Sequence, residues 1–92
     1  EYSFAVINEE GGLSQDFVYA LTQDQRGFLW VGTGNGLTRY DGRHAMVYTQ
    51  VDSLAENFVT CLLRTTSGHL MIGHYQGSIS YYNGVTFART VP

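Results

Sequence analysis

The sequence predicts an all-β fold of two four-stranded antiparallel β-propeller blades preceded by one N-terminal strand. The main observation is an internal repeat: residues 13–36 align without a gap with residues 54–77, 41 residues later, and propeller blades repeat about every 40–45 residues. The second observation is a series of short β-rich segments separated by tight-turn signals, with no sustained helical period. We therefore divide the chain into an N-terminal strand and turn at 1–12, a first blade at 13–53 and a second blade at 54–92.

The positions that are identical in the two repeats are all apolar or glycine. They are Leu13/Leu54, Phe17/Phe58, Val18/Val59, Leu21/Leu62, Gly27/Gly68, Leu29/Leu70, Gly32/Gly73 and Gly36/Gly77. The polar positions that could carry chemistry differ between the copies. The repeat therefore conserves a pattern of packing and turning, which is typical of a scaffold.

The strands follow from alternation and turn residues. Before the repeats, residues 2–7 alternate, with Tyr2, Phe4 and Val6 on one face, and this predicts a strand that ends in a turn at 9–12. In the first repeat we predict strands at 17–22, 28–33, 37–40 and 45–49. Turns are indicated at 24–27 and 34–36, and by the pair Asp41 and Gly42, a strong hairpin signal.

The second repeat has the same plan. Strands are predicted at 58–63, 69–74 and 79–82, and Asn83 and Gly84 take the place of Asp41 and Gly42. The spacing from Gly42 to Gly84 is 42 residues rather than 41. One residue is therefore inserted between residues 76 and 78, in a turn where insertions are tolerated.

Composition excludes several classes of function. The net charge of −3 and the pI near 5.4 provide no basic surface for nucleic acid or anionic lipid. No apolar run approaches the roughly 20 residues of a membrane span, and the first residues do not resemble a signal peptide. Cys61 is the single cysteine, so an internal disulfide is impossible, and we predict a small buried thiol on a strand.

Three patterns that could suggest a cofactor or a ligand have simpler interpretations. His69 and His74 are five residues apart on a strand and so lie on opposite faces, which argues against a metal site. The glycines at 32, 34 and 36 precede another strand, whereas a phosphate loop leads into a helix. Trp30 lies in mid-strand and is predicted to pack between blades rather than to stack on a sugar. No cofactor is predicted.

Residues 27–41 read Gly-Phe-Leu-Trp-Val-Gly-Thr-Gly-Asn-Gly-Leu-Thr-Arg-Tyr-Asp, and Asp24 precedes them. This stretch resembles the two-component regulator propeller repeat, and the second copy is more divergent, with Thr65, Met71 and His74 at the aligned positions of Asp24, Trp30 and Thr33. The resemblance implies a segment of a larger propeller, seven-bladed in the parent protein. It further implies a periplasmic sensor region of a hybrid histidine kinase regulator that senses glycan-derived oligosaccharides without catalysis.

Candidate ligand-binding residues lie in the loops at one end of the predicted blades. These loops are the connections into each first strand and the turns between second and third strands. The candidates are Asp16, Asn35, Asn57, His74, Tyr75 and Gln76. Amide, imidazole and phenol groups suit hydroxyl-rich ligands, although ordinary surface polarity also accounts for each of them.

Two alternatives stay open. The chain could belong to a propeller hydrolase or lyase that places catalytic carboxylates or histidines in these loops, or it could be a structural module without a ligand. Because two blades leave apolar faces bare, self-association through the exposed blade faces is expected in any case.

Overall fold

The computed structural model describes residues 17–90 and places them in two four-stranded antiparallel sheets. The strands of sheet A are β1 Val18–Gln23, β2 Leu29–Thr33, β3 Gly36–Tyr40 and β4 Ala45–Tyr48, and those of sheet B are β5 Val59–Arg64, β6 Leu70–His74, β7 Ile79–Tyr82 and β8 Phe87–Thr90. Each sheet is a simple meander in chain order. The predicted all-β class with two four-stranded blades is confirmed, and the predicted strand boundaries agree to within one residue. The strand predicted at 2–7 lies outside the described residues.

A short helical turn, which the sequence reading missed, links the two sheets. The 3₁₀ helix Gln50–Asp52 begins at Thr49, whose hydroxyl accepts the N–H of Val51 at 3.3 Å, while the Asp52 carboxylate accepts the N–H of Thr49 at 2.9 Å. Thr49 and Asp52 together form a capping box, which satisfies backbone donors at the start of the turn. The chain is thereby turned from β4 of sheet A toward β5 of sheet B.

The core lies between the two sheets. Its buried residues come from sheet A, from sheet B and from the linker, and they are Trp30, Leu37, Leu54, Val59, Leu70, Ile72 and Tyr82. The Trp30 ring lies 5.0 Å from the Tyr82 ring and 5.9 Å from the Tyr48 ring. The prediction that Trp30 packs between blades is therefore confirmed.

Close approach of the sheets depends on Gly32. A Cβ built at Gly32 would overlap the Cγ1 atom of Val59 and would lie 3.1 Å from its Cβ atom. Gly32 is paired with Ala20 on β1, so both residues face sheet B. The absence of a side chain at Gly32 is what lets Val59 reach the backbone of sheet A.

One prediction is wrong on the outward face of sheet B, the face that is turned away from sheet A. Cys61 lies on β5 as predicted, but its thiol is exposed rather than buried. It shares this face with Leu63, 61% exposed, and Ile79, 41% exposed. The aligned Ala20 of sheet A faces sheet B, whereas within residues 17–90 no third sheet covers the equivalent face of sheet B.

The predicted one-residue insertion is also confirmed. Gly32 pairs with Leu37 across the β2–β3 turn, whereas the aligned Gly73 pairs with Ile79 across the β6–β7 turn. The second turn therefore contains one more residue, while the strands on either side keep their alignment.

Candidate functional site

The ends of the two sheets are aligned with each other. Where β1 and β5 begin, the rings of Tyr19 and Phe58 lie 5.0 Å apart. Where these strands end, a guanidinium N–H of Arg64 donates to the backbone oxygen of Gln23 at 3.0 Å. Because successive turns of a meander alternate between its ends, the β2–β3 and β6–β7 turns lie at the end where β1 and β5 begin. We call this end the mouth.

Three aromatic side chains form a continuous row at the mouth. The Phe58 ring lies 5.0 Å from Tyr19 on one side and 5.1 Å from Tyr75 on the other. Tyr19 is 51% exposed and Tyr75 is 71% exposed. Phe58 also packs over Gly34, where a Cβ would lie 3.5 Å from the ring. We call Tyr19, Phe58 and Tyr75 the mouth aromatics.

A β-bulge explains how Tyr19 joins this row. The register of β1 against β2 shifts between Val18 and Ala20, so Tyr19 is the extra residue. Bulges change the direction of a side chain and are common next to functional sites. Sheet B has the same shift between Val59 and Cys61. Sequence reasoning missed Tyr19, and it treated Phe58 as part of the apolar repeat, because a bulge cannot be recognised from alternation alone.

Three of the predicted candidates are exposed amides at or beside the mouth. Asn35 lies in the β2–β3 turn, where its N–H donates to the hydroxyl of Thr33 at 3.1 Å, and Gln76 lies in the β6–β7 turn. Asn57 immediately precedes Phe58, and its side-chain oxygen accepts the N–H of Gln50 at 2.8 Å. Asp16 lies outside the described residues.

Glu56 holds the turn that carries Tyr75 and Gln76. One carboxylate oxygen accepts the N–H of Gln76 at 3.0 Å, and the other accepts the N–H of Ser78 at 3.3 Å together with the Ser78 hydroxyl. Burial raises the pKa of Glu56, but the hydrogen bonds from Ser78 and Gln76 outweigh it, so the pKa lies below its ordinary value. That Glu56 holds this turn could not be predicted from the sequence, since its partners lie 20 and 22 residues further along the chain.

His74 is buried beneath the mouth and is only 5% exposed. Its Nδ1 atom lies 2.9 Å from the Phe58 oxygen, and its Nε2 atom lies 2.7 Å from the Ser80 hydroxyl. A carbonyl only accepts, so Nδ1 carries a proton, and in the neutral ring Nε2 accepts from the Ser80 hydroxyl, whose oxygen accepts the N–H of Ala55 at 3.0 Å. Both ring nitrogens are therefore bonded inside the protein. His74 supports Phe58 and Tyr75 from below.

Metal ligation finds no support in the described range. Residues 17–90 contain no group of three or more His, Cys, Asp or Glu side chains that could hold a metal ion. His69 contacts the Tyr81 hydroxyl on the outward side of sheet B, while His74 bonds to Ser80 on the side facing sheet A. The prediction that the two histidines lie on opposite faces is confirmed. In the same part of the chain, no helix has the length and apolar character needed to cross a membrane.

Comparison with known proteins agrees with this architecture. The two component regulator propeller family matches residues 12–35. Histidine kinase P4 of Formosa agariphila is 49% identical over 37 residues, which cover 40% of this chain and 3% of that protein. The extracellular domain of the putative hybrid two component system BT3049 from B. thetaiotaomicron has a TM-score of 0.77 and 31% identity. That match covers 92% of this chain and 11% of the other chain.

The chain thus spans a small part of both relatives, yet nearly all of it matches one extracellular domain. The extracellular setting of that domain agrees with the periplasmic location implied by the sequence resemblance. On these matches and on its fold, residues 12–35 belong to a two-component regulator propeller repeat, and the chain as a whole is similar to part of the extracellular domain of a hybrid two-component system.

Proposed function

We propose that this chain is a non-catalytic, ligand-sensing segment of a periplasmic propeller, and that its mouth binds a glycan-derived oligosaccharide. The sensing role is supported by the similarity to sensor domains of hybrid two-component systems. The observation that carries the choice of ligand is the row of mouth aromatics, because Tyr19 and Tyr75 keep much of their ring surface exposed.

The chemistry of the mouth suits a sugar. The apolar C–H face of a sugar ring packs on an aromatic face, and a tyrosine adds a hydroxyl at the edge of that face. Asn35, Asn57 and Gln76 bring amides, which both donate and accept hydrogen bonds and so match sugar hydroxyls. The turns at Gly34 and Tyr75 are held in place by Phe58 and Glu56, so the ligand meets a largely preformed surface.

We expect binding rather than turnover, because the Glu56 carboxylate at the mouth is committed to holding the β6–β7 turn. Glycosidases generally place two carboxyl groups about 5–10 Å apart across the bond that is cleaved. At the mouth, Glu56 has both oxygens engaged in hydrogen bonds to Gln76 and Ser78. We infer that, in the parent protein, an occupied mouth changes how paired sensor domains sit and that this change reaches a cytoplasmic kinase.

The proposal is tested by calorimetric titration of this chain with a panel of neutral and acidic oligosaccharides. Tyr75→Ala removes one stacking face and should weaken binding by about three- to tenfold, the equivalent of roughly 0.5–1.5 kcal/mol. Val85→Ala, which changes an exposed residue in the β7–β8 turn, is the matched control and should bind as the unmodified chain does. Release of new reducing ends from any bound glycan would overturn the proposal in favour of an enzyme.

A further inference from the structure

A second concave site lies between the sheets at the end opposite the mouth. It has a volume of about 320 Å³ and is lined by the β1–β2, β5–β6 and β7–β8 turns together with Phe28, Trp30 and Arg39. Pockets for small ligands begin at about 300 Å³. We call this site the interblade cleft.

Arg39 brings a cation without a carboxylate partner into the cleft. Its guanidinium lies 4.9 Å above the Phe28 ring, donates to the Tyr82 hydroxyl at 3.4 Å and approaches the Met46 sulfur at 3.7 Å. No carboxylate within residues 17–90 pairs with it. A guanidinium has five N–H donors, so most of its capacity for charge-assisted hydrogen bonds is unused.

Arg26 adds a second cation to the same cleft. Its side chain crosses from the β1–β2 turn toward sheet B, where a guanidinium nitrogen lies 3.9 Å from the position of a Cβ on Gly84. Asp24 also lines the cleft, but its carboxylate already accepts the N–H groups of Arg26 and Phe28 and the indole N–H of Trp30. In a chain of net charge −3, the cleft therefore gathers two arginines against one carboxylate.

We propose that the interblade cleft binds an acidic sugar, with its carboxylate on Arg39 and Arg26. Arginine matches a carboxylate in geometry as well as in charge, because two parallel N–H groups reach both oxygens. The cleft would hold on the order of ten water molecules at about 30 Å³ each, so it has room for a sugar ring beside the charged group. The amides of Gln25 and Asn83 line the same space and suit ring hydroxyls. This site is separate from the mouth and does not depend on the function proposed there.

Trp30 provides a readout because its buried ring lies at the wall of the cleft, 5.8 Å from the Arg39 guanidinium, and it is the chain's single tryptophan. The experiment is a titration of Trp30 fluorescence with galacturonate, with galactose as the probe that lacks only the carboxylate and acetate as the probe that lacks the sugar. We expect a saturable change with galacturonate, and binding at least about tenfold weaker with galactose or acetate. Arg39→Gln and Arg26→Gln should each weaken the binding of galacturonate by about tenfold. Arg43 lies outside the cleft, so Arg43→Gln should leave this binding unchanged.

Several results would overturn this inference. They are the absence of a Trp30 response, equal binding of acetate or galactose, and unchanged affinity in both cleft variants. If circular dichroism shows that Arg39→Gln does not fold, Arg26→Gln decides, since its side chain belongs to an exposed turn. Tyr75→Ala must leave the response unchanged, and a lost response would assign galacturonate to the mouth instead. A Trp30 response to galacturonate without any glycan binding at the mouth would support the acidic-sugar site in the cleft and would contradict the function proposed for the mouth.

Discussion

The carboxylate of Glu56 accepts the backbone N–H of Gln76 at 3.0 Å, and this bond ties the exposed β6–β7 turn to the segment that leads into β5. Ser78 donates to the same carboxylate through its N–H and its hydroxyl. The turn that presents Tyr75 is therefore fixed by a side chain from outside its own hairpin. The ionised carboxylate accepts all three hydrogen bonds, so protonation of Glu56 should weaken its hold on the turn.

Acid should destabilise the fold in part through Glu56. The hydrogen bonds from Ser78 and Gln76 lower the pKa of Glu56 in the folded chain, so ionised Glu56 stabilises the fold. This stabilisation is complete above the pKa of Glu56 in the unfolded chain, near 4.5, and is lost as the pH falls through the pKa in the folded chain. We expect Glu56→Gln to show a shallower fall in the free energy of unfolding below pH 4.5 than the unmodified chain. Urea denaturation of both proteins at a series of pH values measures this fall in the free energy of unfolding. Parallel curves for the two proteins would contradict this role.

Contact between the blades should fail when a methyl group is added at Gly32. Gly32→Ala places a Cβ against Val59, so we expect a loss of about 1–3 kcal/mol in the free energy of unfolding. Gly34→Ala is the matched control, because a Cβ there would lie 3.5 Å from the Phe58 ring, an ordinary contact. Val59→Ala combined with Gly32→Ala should recover part of the loss. Equal stability of the two glycine variants would contradict the packing described.

Removal of the Ser80 hydroxyl should loosen the support beneath the mouth. Ser80→Ala leaves the Nε2 atom of His74 and the N–H of Ala55 without their partner, at a cost of about 1–3 kcal/mol in the free energy of unfolding. The control is Ser67→Ala, at an exposed position in the β5–β6 turn. Nitrogen NMR of the imidazole should show an Nδ1–H tautomer in the unmodified chain. An Nε2–H tautomer would contradict the hydrogen-bond assignment.

Self-association should run through the outward face of sheet B. Leu63 and Ile79 are exposed there beside Cys61, and they occupy positions equivalent to residues that sheet A packs against sheet B. We expect the mass measured by light scattering to rise with concentration and to stay near the monomer value for Leu63→Asp. Val51→Asp, at a linker residue that is 93% exposed, should behave as the unmodified chain does. The same mass profile for Leu63→Asp and the unmodified chain would count against this surface.

The strands and the interblade core could be predicted from the sequence because they depend on local patterns. Alternation and turn residues set the strand boundaries, and the repeat placed Trp30 between blades. The exposure of Cys61 could not be predicted, because burial on a sheet face depends on which neighbour covers it. The mouth aromatics depend on a bulge at Tyr19, and the burial of His74 depends on Ser80 from another strand. These contacts between strands can be recognised only once the pairing register of the strands is known.

Glycan binding by the mouth aromatics is the central claim, and NMR of this chain with selectively labelled Tyr and Phe rings tests it most directly. Oligosaccharides that bind in calorimetry would be added to the labelled protein. The account predicts that the ring signals of Tyr19, Phe58 and Tyr75 shift together and saturate at one affinity, with no change in the glycan. Shifts confined to other rings, or cleavage of the glycan during the titration, would contradict it.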